Sequence, residues 1–182
     1  DTIDFEYARE KGIIVENTPG QNANAVAELT IAMMLAVTRL LNGASGRELK
    51  GKLLGVHGFG NIGRIVARLG KSFGMTVKVF DTCIDRTSAR ESGVSVVDTP
   101  EDLYRDSDYV SVNIPENPET SGSVGSALMS LMGDSGTLVN SARAGVINEK
   151  ELLEVLGSRP GFCYAADVAP GNDIMSRAAS EF

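Results

Sequence analysis

"VHGFGNIGR", residues 56–64, sets Gly58, Gly60 and Gly63 in the spacing G-x-G-x-x-G and carries the only histidine of the chain, His57. The run "KLLGVH" (52–57) before it reads as a strand, and "NIGRIVARLGKSF" (61–73), which it opens, reads as a helix. The spacing alone is a weak signal; the strand, turn and helix around it give it meaning. Gly58 permits a tight turn, Gly60 lets the backbone approach a pyrophosphate, and Gly63 lets the helix pack on the strand. The free N–H groups and positive end of that helix then attract an anion. The stretch therefore predicts a dinucleotide site and poses a question about His57, which lies beside it.

Outward from this loop, strand and helix patterns alternate. "GIIVEN" (12–17) reads as a strand ending in the turn "TPGQN". The segment from Asn24 to Leu41 is a helix apolar on more than one side, which predicts burial all round, in part against a second subunit. "MTVKVF", "DYVSVNI", "GTLVN" and "FCYAADV" are further strands, with helices near 61–73, 100–105, 125–131 and 148–156. Thr99 with Pro100, and Asn148 with Glu151, supply helix starts. The alternation predicts an α/β Rossmann fold, a doubly wound parallel sheet with helices on both faces.

Eighteen residues after Gly63, the strand "MTVKVF" ends in Asp81. A carboxylate there accepts hydrogen bonds from the adenosine ribose hydroxyls and repels a 2′-phosphate, so NAD is expected over NADP. His57, the last residue of a strand in a buried parallel sheet, is expected to pack beside the turn rather than to reach a substrate.

Composition narrows the function classes. With 24 Asp and Glu against 17 Lys and Arg, the net charge is -7, and no basic block offers a surface for nucleic acid or an anionic membrane. Cys83 and Cys163 are too far apart in sequence for a metal or disulfide framework; both are expected in the core of a cytoplasmic protein, and no metal is expected. The longest apolar run, "LTIAMMLAV" (29–37), is too short to span a bilayer. The chain length of 182 residues suits one domain, and the opening at Asp1 without methionine suggests part of a longer protein.

"NTPGQNANAVAELTIAMML", "ELKGKLLGVHGFGNIGRIVARLGKSFGMTVKVFD", "VNIPENPET", "TLVNSARAGVINEKELLEVL" and "YAADV" together resemble, in order and spacing, the cofactor domain of the D-2-hydroxyacid dehydrogenases, most of all their phosphoglycerate dehydrogenase branch. The resemblance covers essentially the whole chain. It implies an NAD-dependent oxidoreductase with a small 2-hydroxy acid as substrate, 3-phosphoglycerate in the first place and lactate or glycerate as alternatives, and a homodimer. A non-catalytic NAD-sensing corepressor is the alternative from another class. It further implies that Arg143 is the catalytic arginine, whose paired donors grip the substrate carboxylate and 2-oxygen. By the same resemblance Ser141 and Ala142 line the nicotinamide site, Asp167 orients the carboxamide, and Asn61, Ile62, Ile114 and Pro115 lie near the pyrophosphate and adenosine.

Two departures stand out against that family. Asn61 replaces a common arginine, and Asn172 replaces the glutamate that usually follows Asp167 by five residues and supports a proton-carrying histidine. Asp173 is adjacent to it. The family's proton carrier, a histidine or in some members a lysine, is expected beyond Phe182. Residues 1–18 resemble the end of the substrate domain and its hinge, and 19–182 the NAD-binding domain.

Overall fold

The computed structural model describes residues 3–39 and 47–168. Six strands form one all-parallel sheet: β1 (Leu53–His57), β2 (Thr76–Phe80), β3 (Ser95–Val96), β4 (Tyr109–Val112), β5 (Thr137–Asn140) and β6 (Cys163–Ala166). Their order across the sheet is β3-β2-β1-β4-β5-β6. The chain thus winds outward from β1 in one direction and from β4 in the other. This is the doubly wound arrangement, and its switch point lies between β1 and β4.

The helices are α1 (Phe5–Glu10), α2 (Ala23–Arg39), α3 (Asn61–Ser72), α4 (Arg86–Glu91), α5 (Pro100–Tyr104), α6 (Ser126–Met129) and α7 (Glu149–Ser158). Alternation along the strands divides the core in two. Leu54 and Val56 of β1, Val77 and Val79 of β2 and Val139 of β5 pack with α2 and α3 on one face. Val110 and Val112 of β4 and Leu138 of β5 pack with Leu103, Tyr104, Met129 and Leu152 of α5, α6 and α7 on the other. The expected caps form: Thr99 and Asn148 accept from the N–H of Asp102 and Glu151. Glu151 also reaches Ser126, taking its N–H at 2.6 Å and its hydroxyl at 2.8 Å, and so caps α6. Those two hydrogen bonds hold the Glu151 carboxyl below its usual range.

Three expectations change. "GIIVEN" does not form a strand: among the described residues its neighbour is helix α1, which offers no ladder, and Ile14 is 86% exposed. Helix α2 is buried along Ala23, Ala27, Thr30, Ile31, Met34 and Val37 only, while Ala25, Leu29 and Ala32 face outward; Leu40 and Leu41 lie outside the described residues. One helix laid on a sheet can bury only one side, so burial all round is not achieved within a single chain. Cys83 is exposed rather than in the core, because it follows the end of β2 in the turn that leaves the sheet, and Cys163 is half-buried.

Among the described residues no helix is long and apolar enough to cross a membrane, and no group of acidic, histidine and cysteine side chains is arranged to hold a metal.

Candidate functional site

The loop between β1 and α3 is shaped by its glycines. Gly58 has φ of +93°, which side-chain-bearing residues rarely adopt, and a Cβ there would lie 2.9 Å from the Asn113 carbonyl. A Cβ on Gly63 would overlap the Gly58 carbonyl oxygen, so this glycine lets α3 close onto the turn. Gly60 is different: apart from its own chain neighbours, no described atom lies within 4 Å of where its Cβ would be. Gly60 is also the N-cap of α3 and makes no side-chain cap, so the first N–H groups of α3, including those of Asn61 and Ile62, face this open space without a capping side chain. An anion fits there by charge and by room.

Asp81 directly follows the neighbouring strand β2. Its two oxygens accept the N–H of Phe59 at 2.7 Å and of Cys83 at 2.8 Å, which fixes the carboxylate at the flank of the glycine loop. Each oxygen retains a further lone pair for a hydroxyl donor. Across the switch point, a cleft of about 760 Å³ opens beyond the ends of β1, β4 and β5. Ile62, Ile114, Pro115, Ser141, Ala142 and Arg143 all line it. Gly58, Gly60, Asn61, Gly63, Asp81 and Asp167 do not: the first five form the loop and its β2 flank, and Asp167 stands exposed after β6, its N–H bound to the Asn140 carbonyl at 3.1 Å. All twelve nonetheless sit at or just past the carboxyl edge of the sheet or the start of α3.

The segment carrying Arg143 is organised by a residue the sequence did not single out. Asn140, fully buried at the end of β5, donates to the Arg143 carbonyl at 3.0 Å and to the Tyr164 hydroxyl at 3.3 Å, and accepts the Ala142 N–H at 3.0 Å. The available signal was an asparagine ending an apolar strand, a position where its amide folds the next turn. Ser141 is held from the other side, its hydroxyl 2.9 Å from Thr30 Oγ1 on α2. Arg143 is exposed at the cleft, with one guanidinium nitrogen donating to the Ala142 carbonyl at 2.9 Å. Glu116, also unflagged in the sequence, brings a carboxylate to the same cleft. Asn172 and Asp173 lie outside the described residues.

His57 is buried on the opposite face of β1, with Nδ1 3.2 Å from the Tyr104 hydroxyl and its ring against Phe80 and Tyr104. Burial pushes its pKa down from 6.5 to about 4, and the Asp81 carboxylate offsets this only in part. The same enclosure pushes the Tyr104 hydroxyl pKa up. The folded chain therefore keeps His57 neutral where the unfolded chain protonates it. Between pH 6.5 and about 4 the unfolded state binds the extra proton, so stability falls as pH drops through that window. The whole shift corresponds to about 3 kcal/mol. Urea unfolding at pH 7 and pH 4.5 is expected to show about 2–3 kcal/mol more loss in the native protein than in His57→Gln. Equal losses would mean that His57 is not held neutral by the fold.

The model of the family described as "D-isomer specific 2-hydroxyacid dehydrogenase, NAD binding domain" matches residues 28–179. The chain belongs to that family. Over 170 residues the domain is 39% identical to a D-3-phosphoglycerate dehydrogenase of Methanocaldococcus jannaschii, a match covering 86% of this chain and 32% of that protein. It is 37% identical to a hydroxypyruvate reductase of Thermotoga maritima, over 97% of this chain and 62% of that one. The NAD+-bound 3-phosphoglycerate dehydrogenase structure from Entamoeba histolytica superposes with a TM-score of 0.86 at 35% identity, covering 97% of this chain and 57% of that one. The domain thus spans only 32% to 62% of the length of these relatives. It is an NAD-binding Rossmann domain, and its glycine cradle and cleft have the room and the donors that such a cofactor needs.

Proposed function

We propose that this domain is the cofactor-holding part of a D-2-hydroxyacid dehydrogenase, with 3-phosphoglycerate as the first candidate substrate and 3-phosphohydroxypyruvate as its product. The observation that carries the reading is the meeting of Arg143 with Ile62, Ile114, Pro115, Ser141 and Ala142 around one cleft at the switch point. Bound NAD supplies hydride acceptance there. Gly58, Gly60, Asn61, Ile62 and Gly63 hold the pyrophosphate, Asp81 the adenosine ribose, Ile114 and Pro115 the adenosine, and Ser141, Ala142 and Asp167 the nicotinamide end. Arg143 holds the substrate carboxylate and 2-oxygen through paired N–H donors. His57 takes no part, since it is buried beneath the loop with a depressed pKa. Residues 1–18 are assigned to the substrate domain and hinge, and 19–182 to the NAD domain; the apolar exposure of Ile3, Phe5, Tyr7, Ile13 and Ile14 supports a face that meets another part of the protein. A cytoplasmic setting accompanies this reading.

Two measurements test parts of it. Because Asp81 is fixed with its charge at the ribose position, NADH is expected to bind at least about tenfold more tightly than NADPH by fluorescence titration. Equal affinities would remove the role given to Asp81. The outward row Ala25, Leu29 and Ala32 of α2 supports a homodimer through this helix. Light scattering at micromolar concentration is expected to give twice the chain mass, with Leu29→Glu monomeric; a native monomer would remove this helix as an interface.

A further inference from the structure

A second groove, of about 580 Å³, runs between α3 and α4 and shares no lining residue with the cleft. Arg64, Arg68 and Lys71 form one wall. Their spacing of four and three residues puts all three on one face of α3, along about 10 Å of helix. The floor is apolar, made by Phe59, Ala67 and Val94, and α4 and its C-cap contribute Ser88 and Ser92 opposite. No acidic side chain lines the groove, and none of the three cations makes an ion pair among the described residues.

The cations are positioned rather than splayed. The Arg64 guanidinium lies 4.9 Å over the Phe59 ring, and Lys71 Nζ crosses the groove to donate to the Ser92 carbonyl at 2.6 Å. Like charges three and four residues apart repel one another, and here no carboxylate compensates them. On a chain of net charge -7, three uncompensated cations around one groove are a local inversion of the protein's charge. A bound anion removes that repulsion.

We propose that this groove binds a small oligophosphate-bearing ligand, of the nucleoside di- or triphosphate class. A single phosphate is too short to meet a row of this length, whereas consecutive phosphates reach all three side chains. Guanidinium forks match phosphate oxygens, and the groove volume is in the range of small-molecule sites. The apolar floor beside Phe59 receives the uncharged part of the ligand. This assignment does not depend on the substrate or on the NAD reading of the cleft.

The test uses inorganic tripolyphosphate as probe, titrated calorimetrically into the protein saturated with NAD, so that the glycine loop is already occupied. One saturable site is expected, weakening steeply with added salt. Arg68→Gln is expected to lower the affinity at least tenfold, and Arg68→Glu to abolish it, with thermal midpoint and NADH affinity unchanged because Arg68 is exposed and lines only this groove. Were NAD itself not to bind, the titration would be repeated on Gly60→Leu, whose loop is filled by its own side chain. No saturable binding up to several millimolar, or equal binding by native protein and Arg68→Glu, would overturn the proposal.

Discussion

Arg143→Ala in the full-length protein is expected to lower kcat/KM for a 2-hydroxy acid by on the order of 10²–10³, with NADH affinity within a few-fold of native. The magnitude follows from what the guanidinium alone can supply. A guanidinium is charged at any working pH, and in the proposed role it would offer parallel donors to an oxygen whose charge changes as the C2 carbonyl forms or is consumed, with its contribution largest at the transition state. Its place at the cleft is set by Asn140, whose side chain holds the Arg143 carbonyl and the Ala142 N–H. Arg143→Lys keeps the charge but loses the fork, and should recover only part of the rate. Unchanged kcat/KM in Arg143→Ala would move the substrate elsewhere, while a loss of NADH affinity equal to the loss of rate would reassign the arginine to the cofactor.

The parts of this molecule that could be read from sequence are those where one physical requirement leaves few choices. The loop from Gly58 to Gly63 needs a positive φ, a helix-to-turn contact with no room for Cβ, and open space at a helix N-terminus, and glycine meets all three. β1, β4 and β5 are buried along nearly their whole length because both faces of the sheet centre are covered, while β2, next to the edge, alternates buried Val77 and Val79 with the more accessible Thr76, Lys78 and Phe80. By contrast, α4 has the sequence "RTSARE" with only Ala89 buried, and β3 is two residues at the sheet edge; neither has enough apolar periodicity to stand out. For α4 the legible signal was its cap, Asp85, which accepts the N–H of Thr87 and Ser88.

At the site, Asp81 followed from spacing, whereas Arg143, Ser141, Ala142, Ile114 and Pro115 came only with the family resemblance, because they are brought together by strand ends far apart in sequence. Asn140 was missed since it acts through the backbone of its neighbours rather than on a ligand. "GIIVEN" shows the converse: β-branched residues state a preference for extended backbone, but a strand also needs a neighbour.

Gly60→Leu probes whether a dinucleotide lies against the open face of Gly60. The native φ of −78° suits any residue, and apart from the chain neighbours nothing described lies within 4 Å of the added Cβ, so folding should be unaffected. The side chain instead fills the space that the pyrophosphate needs. Losing two charge-assisted backbone hydrogen bonds costs about 3–6 kcal/mol, on the order of 10²–10⁴-fold in affinity. Gly63→Ala serves as the contrast, because its Cβ overlaps the Gly58 carbonyl and should cost about 1–3 kcal/mol of stability. Titration of NADH into Gly60→Leu, with its thermal midpoint measured alongside, is predicted to show native stability and at least a hundredfold weaker binding. Native NADH affinity in a folded Gly60→Leu protein would contradict the account.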